Sequence, residues 1–268
     1  MKKISNSKAK ILLFDIETSP IKAYIWGLWT ENRSADFIIE DWFVLCWAAK
    51  WFDKREMLSA SLFDDKNYKK EPHNDKNILQ GLRDLLDESD IVIGHNLDKF
   101  DVKKVNARFL YHGITPPSPY KTIDTCLLAR KHFGFTSNKL DDLCQHLGLG
   151  KKAQTGGFDL WKRCLKGDPK AWAKMLKYNK KDVVLLEKIY LKIRPYIKNH
   201  PNLGVYIDED RASCVNCGSF RIQYRGYATT KVSKFRRFQC QECGTWSRER
   251  VNILDKNKKK SLATSIAN

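Results

Sequence analysis

The chain has 268 residues with 42% apolar content, enough for one sizeable domain and one small one. Its 49 Lys and Arg against 31 Asp and Glu give a net charge of +18 and a pI near 9.5, so a polyanion, nucleic acid first, is the expected partner and a membrane surface is not. No apolar run approaches the roughly 18 residues of a membrane span, and the opening MKKISNSKAK has no apolar stretch after its lysines, so an unsecreted, cytoplasmic protein is expected.

The first predicted strand covers residues 11–20, ILLFDIETSP. Alternation along a strand puts Asp15 and Glu17 on one face, and two acids side by side call for a cation between them. Residues 23–29 are aromatic and unassigned. An apolar run over 37–52, broken at Asp53-Lys54 before 56–62, predicts a hairpin of two more strands, and 64–77 reads as loop.

Ile78, Leu82, Leu85 and Leu86 follow helical spacing, with Asn74 or Asp75 as cap. Residues 90–94 form a short buried strand that ends in Gly94-His95-Asn96. A helix is predicted over 98–111 and closed by Gly113, then a fifth strand at 122–124 enters a helix at 125–131. Another helix covers 140–147. Residues 151–157 form a Gly-rich basic loop beside whatever the cleft binds. Asp168-Pro169 starts a helix that runs, with a bend near Asn179, to about residue 193. Three strands followed by alternating helices and strands predict an α/β fold, a mixed sheet flanked by helices.

Two further acids sit where a metal site needs them. Asp101 in HNLDKFD follows the end of a buried strand, and Asp182 in YNKKD lies four residues after Tyr178, on the same helical face. DIET, HNLDKFD and YNKKD, in this order and at these separations, resemble the three motifs of the DEDD 3′→5′ exonuclease superfamily. Tyr178, four before the last Asp, marks the DEDDy branch, which includes the proofreading domains of family-B DNA polymerases; the sister branch has His where this chain has Lys177. The resemblance spans residues 10–195. It implies an RNase H-like five-stranded sheet in which Asp15, Glu17, Asp101 and Asp182 hold two Mg²⁺ or Mn²⁺ ions. Asp15 would bridge both, Glu17 and Asp182 would hold the ion that activates water, and Asp101 would serve the other. Tyr178 would position the water. All-carboxylate sites suit these hard cations, and two ions supply both an activated water and a stabilised leaving oxygen.

Around this site, Asn96 is a candidate contact to nucleic acid and His95 a support for the strand end. Asp124 is either an acid behind the site or a helix cap. His112, His132 and His146 have no partner spacing and receive no role.

Cys46, Cys126, Cys144 and Cys164 stand singly among apolar residues and read as buried small hydrophobes. Cys214-x2-Cys217 and Cys240-x2-Cys243, each followed by Gly, have the spacing of a four-thiolate zinc ribbon holding one structural Zn²⁺. Between the pairs lie Arg221, Arg225, Lys231, Lys234, Arg236 and Arg237, interleaved with Tyr224, Tyr227, Phe235 and Phe238 and with no acid. Cations for phosphates and aromatics for bases predict a nucleic-acid-binding ribbon. The phrase RRFQCQECGTW is similar to ribbons of transposase-type DNA-binding proteins.

The expected organisation is an exonuclease domain over 1–200, a zinc ribbon over 208–253 and an unstructured basic tail over 254–268. The expected function is a monomeric, metal-dependent 3′→5′ exonuclease acting on DNA and releasing nucleoside monophosphates, with any partnership with a replication or repair polymerase made in trans; a small basic nuclease with a fused ribbon suits a bacterial or phage-infected cell. The alternatives are an RNA-trimming or structure-specific nuclease using the same acids, and a non-catalytic nucleic-acid-binding protein.

Overall fold

The apolar run ahead of Asp15 forms β1 (Ile11–Thr18), whose first four side chains are all buried, as a central strand covered on both faces requires. The computed structural model describes residues 8–27 and 34–266. The start of the N-terminal segment and the end of the aromatic 23–29 run lie outside the described residues. After β1, β2 (Lys22–Ala23) pairs antiparallel with β3 (Ile38–Glu40). The predicted hairpin is β4 (Val44–Trp51) and β5 (Leu58–Ser61), and β4 runs antiparallel to β1.

Then come α1 (Lys76–Asp87), β6 (Ile91–Gly94), α2 (Asp101–His112), β7 (Lys121–Asp124), α3 (Thr125–His132), α4 (Leu140–His146), α5 (Asp159–Leu165) and α6 (Pro169–Ile193). β6 joins β1 in parallel and β7 joins β6 likewise, giving the order β5-β4-β1-β6-β7. The mixed five-stranded sheet with flanking helices is the expected architecture. Alternate residues of β1, Leu12, Phe14 and Ile16, enter the core with Leu79 and Leu82 of α1 and Val105 and Phe109 of α2, which leaves Asp15 and Glu17 to the opposite face.

Several local expectations change. α2 begins at Asp101 rather than residue 98, because the chain first turns through 96–100 in short-range hydrogen bonds such as Phe100 N to the Asn96 carbonyl. Asn96 takes a left-handed φ of 66° there, a conformation that asparagine tolerates better than most residues. Gly94 just before it is required by space, since a Cβ would stand 2.7 Å from Leu97 Cδ1. α5 was not anticipated from the sequence. α6 is continuous through Asn179, where a bend was expected, because the Asn179 side chain finds partners outside its own helix and does not compete for its backbone.

Asp75 precedes α1 but its side chain does not cap it; Asn74 Oδ1 accepts from Lys76 N instead. Asp75 is wholly buried and accepts from Val44 N (2.8 Å), from the Arg108 guanidinium (2.6 Å) and from His112 Nε2 (2.5 Å). His112, given no role from the sequence, is thus a hydrogen-bond partner of Asp75 that ties α2 to α1 and β4. The four scattered cysteines are buried and free, as expected.

The chain divides into two compact bodies, Lys10–Tyr190 and a second built mainly by Leu191–Asn268. In the second body β8 (Ile222–Thr229), β9 (Lys234–Cys240) and β10 (Trp246–Arg248) form an antiparallel sheet with β9 in the middle. The tail expected to be unstructured carries a short helix, α7 (Lys256–Ser261), because Asp255 caps it through Lys258 N at 2.7 Å. Among the described residues no helix is long and apolar enough to cross a membrane.

Candidate active site and cysteine cluster

Asp15 and Glu17 leave β1 on the same face, opposite Ala48 and Cys46 of β4, and α6 brings Asp182 to them. One oxygen from each of Asp15, Glu17 and Asp182 lies within 4.8 Å of the others. Asp101 stands outside this group. Its carboxylate is buried and Oδ1 accepts from the backbone N of Ile16, between the two β1 acids, at 3.2 Å. So the structure gathers three of the four expected acids and hangs the fourth on the strand that carries two of them.

The cluster is electrostatically uncomfortable. Burial and then the Asp182 charge raise Asp15 from its usual range to about 7, and Glu17 is pushed well above its usual range by burial and by Asp15. Asp101 is raised by burial and by Asp15, and Asp182 by burial, against which the Lys152 ammonium pulls down. Asp182 Oδ1 is buried with no hydrogen-bond partner among the described residues. An unpartnered carboxylate oxygen beside acids raised by burial and by one another's charge is a donor set that fits a hard cation such as Mg²⁺ or Mn²⁺.

Tyr178 lies one helical turn before Asp182, and burial followed by the Asp182 charge raises its phenol to about 12. Three neighbours were missed from the sequence. Asn179 is fully buried and donates from Nδ2 to Asp15 Oδ2 at 2.7 Å, while its Oδ1 lies 3.9 Å from the Cys46 thiol. Lys152, in the basic loop, donates to Asp182 Oδ2 at 2.5 Å and to the Tyr178 hydroxyl at 2.9 Å. Trp161 of α5 donates its indole N–H to the Thr18 carbonyl at the end of β1 and sets its ring edge-on to Tyr178. The adjacency of Asn179 to Tyr178 was the available signal; for the other two, only the basic loop pointed this way.

Asp124 turns out to do two structural tasks with one carboxylate. It caps α3 through Cys126 N and Leu127 N, and it accepts from Asn96 N and Asp98 N, fixing the turn that leads into Asp101. His95 is a support, as expected: its Nδ1 lies 2.9 Å from the Thr125 hydroxyl and its Nε2 2.9 Å from the Asn138 carbonyl. Asn96, at the same turn, is half-buried.

In the second body the four paired cysteines converge. Their sulfurs lie within 4.8 Å of one another, with Cys214 and Cys243 3.5 Å apart and Cys217 and Cys240 3.6 Å apart. Sulfurs around a tetrahedral zinc stand about 3.8 Å apart for arms of roughly 2.3 Å, so the set fits that ion. The two turns are built alike. Gly218 N returns to the Cys214 carbonyl and Gly244 N to that of Cys240, each glycine with a left-handed φ. Cys214 N and Cys240 N in turn bond the carbonyls of Ser219 and Thr245. Hydrogen bonds from Cys214 and Cys217 hold the Cys243 thiol well below its ordinary value.

The basic residues of this body are unequal. Arg225, Lys231, Arg236 and Arg237 are exposed, with Arg236 over the Tyr224 ring and Arg237 over Trp246. Lys234 is half-buried over Tyr227, and Arg221 is paired with Glu242. Tyr224 and Tyr227 are exposed, but Phe235 and Phe238 are buried in the small core and cannot stack on a base, contrary to the expectation for them.

Comparison with known proteins places these features. Protein NEN3 of Arabidopsis thaliana is 36% identical over 62 residues, 22% of this chain and 12% of that protein. The solved family B DNA polymerase of the hyperthermophilic archaeon Pyrobaculum calidifontis matches with a TM-score of 0.51 at 16% identity, over 71% of this chain and 25% of the polymerase. The chain thus spans a small part of either relative, and the second likeness is one of fold. A family model described as RNase_H superfamily matches residues 49–194, which include Asp101, Tyr178 and Asp182 but begin after the strand that carries Asp15 and Glu17. That span is more than half of the chain, and the chain belongs to the RNase H superfamily.

Proposed function

We propose that the protein is a metal-dependent 3′→5′ exonuclease of the DEDDy type that hydrolyses phosphodiester bonds of DNA. The observation that carries the reading is the convergence of the Asp15, Glu17 and Asp182 carboxylates beneath Tyr178, with a buried oxygen of Asp182 left unpartnered. A non-catalytic platform has no use for three acids held together against their own repulsion. Asp15, Glu17 and Asp182, with Asp101 behind them, would hold two Mg²⁺ or Mn²⁺ ions, which when bound supply an activated water and a stabilised leaving oxygen.

The chain's own residues do the positioning. Tyr178, raised to about 12, keeps its proton at neutral pH and so serves as a hydrogen-bond donor to the attacking water rather than as a base. Asn179 fixes the Asp15 carboxylate, and the Asp101 bond to Ile16 N fixes the strand between the two β1 acids. In the second body Cys214, Cys217, Cys240 and Cys243 would hold one zinc, and the exposed Arg225, Lys231, Arg236 and Arg237 would lie along phosphates. Asn96, Arg221 and Lys234 are weaker candidates for the same contact. One solved neighbour in fold is a family B DNA polymerase, and DNA is accordingly the first substrate to test.

The test is purified protein with Mg²⁺ on 3′- and 5′-labelled single- and double-stranded DNA and RNA, beside Asp15→Ala. Stepwise loss of nucleotides from the 3′ end, absent in the mutant, is expected. Cleavage undiminished in the mutant overturns the catalytic assignment, and faster trimming of RNA overturns the choice of DNA.

A further inference from the structure

Three carboxylates meet in this site, and one side chain of opposite sign already reaches them. Lys152 Nζ bonds Asp182 Oδ2 at 2.5 Å and the Tyr178 hydroxyl at 2.9 Å, and its ammonium lies 5.0 Å from the Tyr178 ring centre. Asp182 is 1% exposed, whereas the lysine side chain keeps 27% exposure and so a way out to solvent. The lysine is delivered by a segment between α4 and α5 that has no regular structure. Gly150, Gly156 and Gly157 in it all have positive φ, and it is anchored by the bonds from Lys152 N to Asp141 Oδ1 at 2.6 Å and from Lys188 Nζ to the Leu149 carbonyl at 2.9 Å. The backbone is therefore held at residue 152, while the side chain beyond it stays partly exposed.

We propose that Lys152 is the resident counterion of the acidic cluster, and that its ammonium leaves Asp182 when a divalent cation takes that carboxylate. The proposal rests on the metal-dependent reading of the site. An ammonium and a divalent ion are like charges, and they cannot both sit at contact distance on one carboxylate without repelling each other. Until the ion arrives, the lysine keeps Asp182 and Tyr178 aligned; once it has arrived, the same amine is exposed beside the cleft. Metal loading and release of Lys152 are then one equilibrium.

The wild-type protein can report this without a variant. With zinc retained and Mn²⁺ added alone, acylation of the Lys152 amine, read by mass spectrometry, should rise several-fold. Titration calorimetry should show Lys152→Met binding Mn²⁺ about tenfold tighter than wild type, because a competitor of roughly 1.4 kcal/mol is gone, and Lys152→Arg close to wild type. Lys50→Met is the control. The Lys50–Glu187 pair is as short, at 2.5 Å, and partly buried, so its loss should cost stability but leave Mn²⁺ affinity within twofold. Unchanged acylation, or equal Mn²⁺ affinity in wild type and Lys152→Met, overturns the counterion role alone. No Mn²⁺ binding by either protein overturns the metal-dependent reading and this proposal with it.

Discussion

Asn179 reaches from α6 to the central strand and donates to Asp15 Oδ2 at 2.7 Å and to the Asp15 carbonyl at 3.2 Å. One amide thereby holds both the side chain and the backbone of the acid at the middle of the cluster. Hydrogen bonds to charged groups contribute about 1.5–3 kcal/mol, so Asn179→Ala should slow Mg²⁺-dependent cleavage by roughly ten- to a hundredfold while the protein stays folded. A rate within a factor of two of wild type, measured on a labelled oligonucleotide, would show that Asp15 needs no such support.

The raised acids predict a pH dependence of stability when divalent ions are chelated. A carboxyl that moves from 3.8 unfolded to about 7 folded binds its proton more tightly when folded. Its contribution is fully present below pH 3.8 and is lost as pH rises through about 7. Melting temperature with EDTA should therefore carry a falling component across that window, which Asp15→Asn should flatten. Added Mg²⁺ should recover more stability at about pH 8 than at about pH 5, since the carboxyl is ionised only at the higher value. Equal Mg²⁺ stabilisation at both values would contradict the assignment of Asp15 as a ligand.

For the cysteine cluster, elemental analysis of the purified protein should give about one zinc per chain, and Cys240→Ser should lose it. The second body has only a small core, with Phe235 and Phe238 at its centre, so metal binding should supply much of its stability. Removal of zinc by a chelator should abolish protection of the 222–248 amides in hydrogen exchange. Zinc-free protein with those amides still protected would refute the structural role.

The basic residues of the ribbon should separate by their partners. Arg236→Ala and Arg237→Ala should weaken DNA binding uniformly across sequences and lower the salt slope by roughly 0.7–0.9 for each phosphate no longer neutralised. Arg221→Ala should do less, since Glu242 already occupies that guanidinium. Filter-binding across a salt series measures all three, and an Arg221 effect as large as that of Arg236 would contradict the ranking.

What could be read from the sequence follows from how far apart the partners stand. Asp15 with Glu17 and Tyr178 with Asp182 are periodic pairs on a strand and a helix, and each cysteine pair makes its own turn, so local spacing exposes them. The Cys46, Cys126, Cys144 and Cys164 reading needed only their apolar neighbours. Lys152 meets Asp182 across 30 residues of chain and His112 meets Asp75 across 37, with no period to announce either. Asp101 was legible as an acid near the sheet edge, but its bond to Ile16 N depends on how α2 is seated, which no spacing encodes. Phe235 and Phe238 are interleaved with cations just as surface aromatics would be, and only their burial in the fold shows that they point inward.

The Asp75 cluster gives α2 a second point of attachment. This helix is a rod of roughly 17 Å at 1.5 Å per residue, with Asp101 at its first position and Arg108 and His112 in its last turns. One end is pinned to β1 through Ile16 N, and the other is clamped by a carboxylate with no solvent exposure. Held at both ends, the rod sets the position of the acid at one tip by the grip of Asp75 at the other. On the proposed exonuclease reading, a change at His112 should lower cleavage although the residue lies about three turns from Asp101.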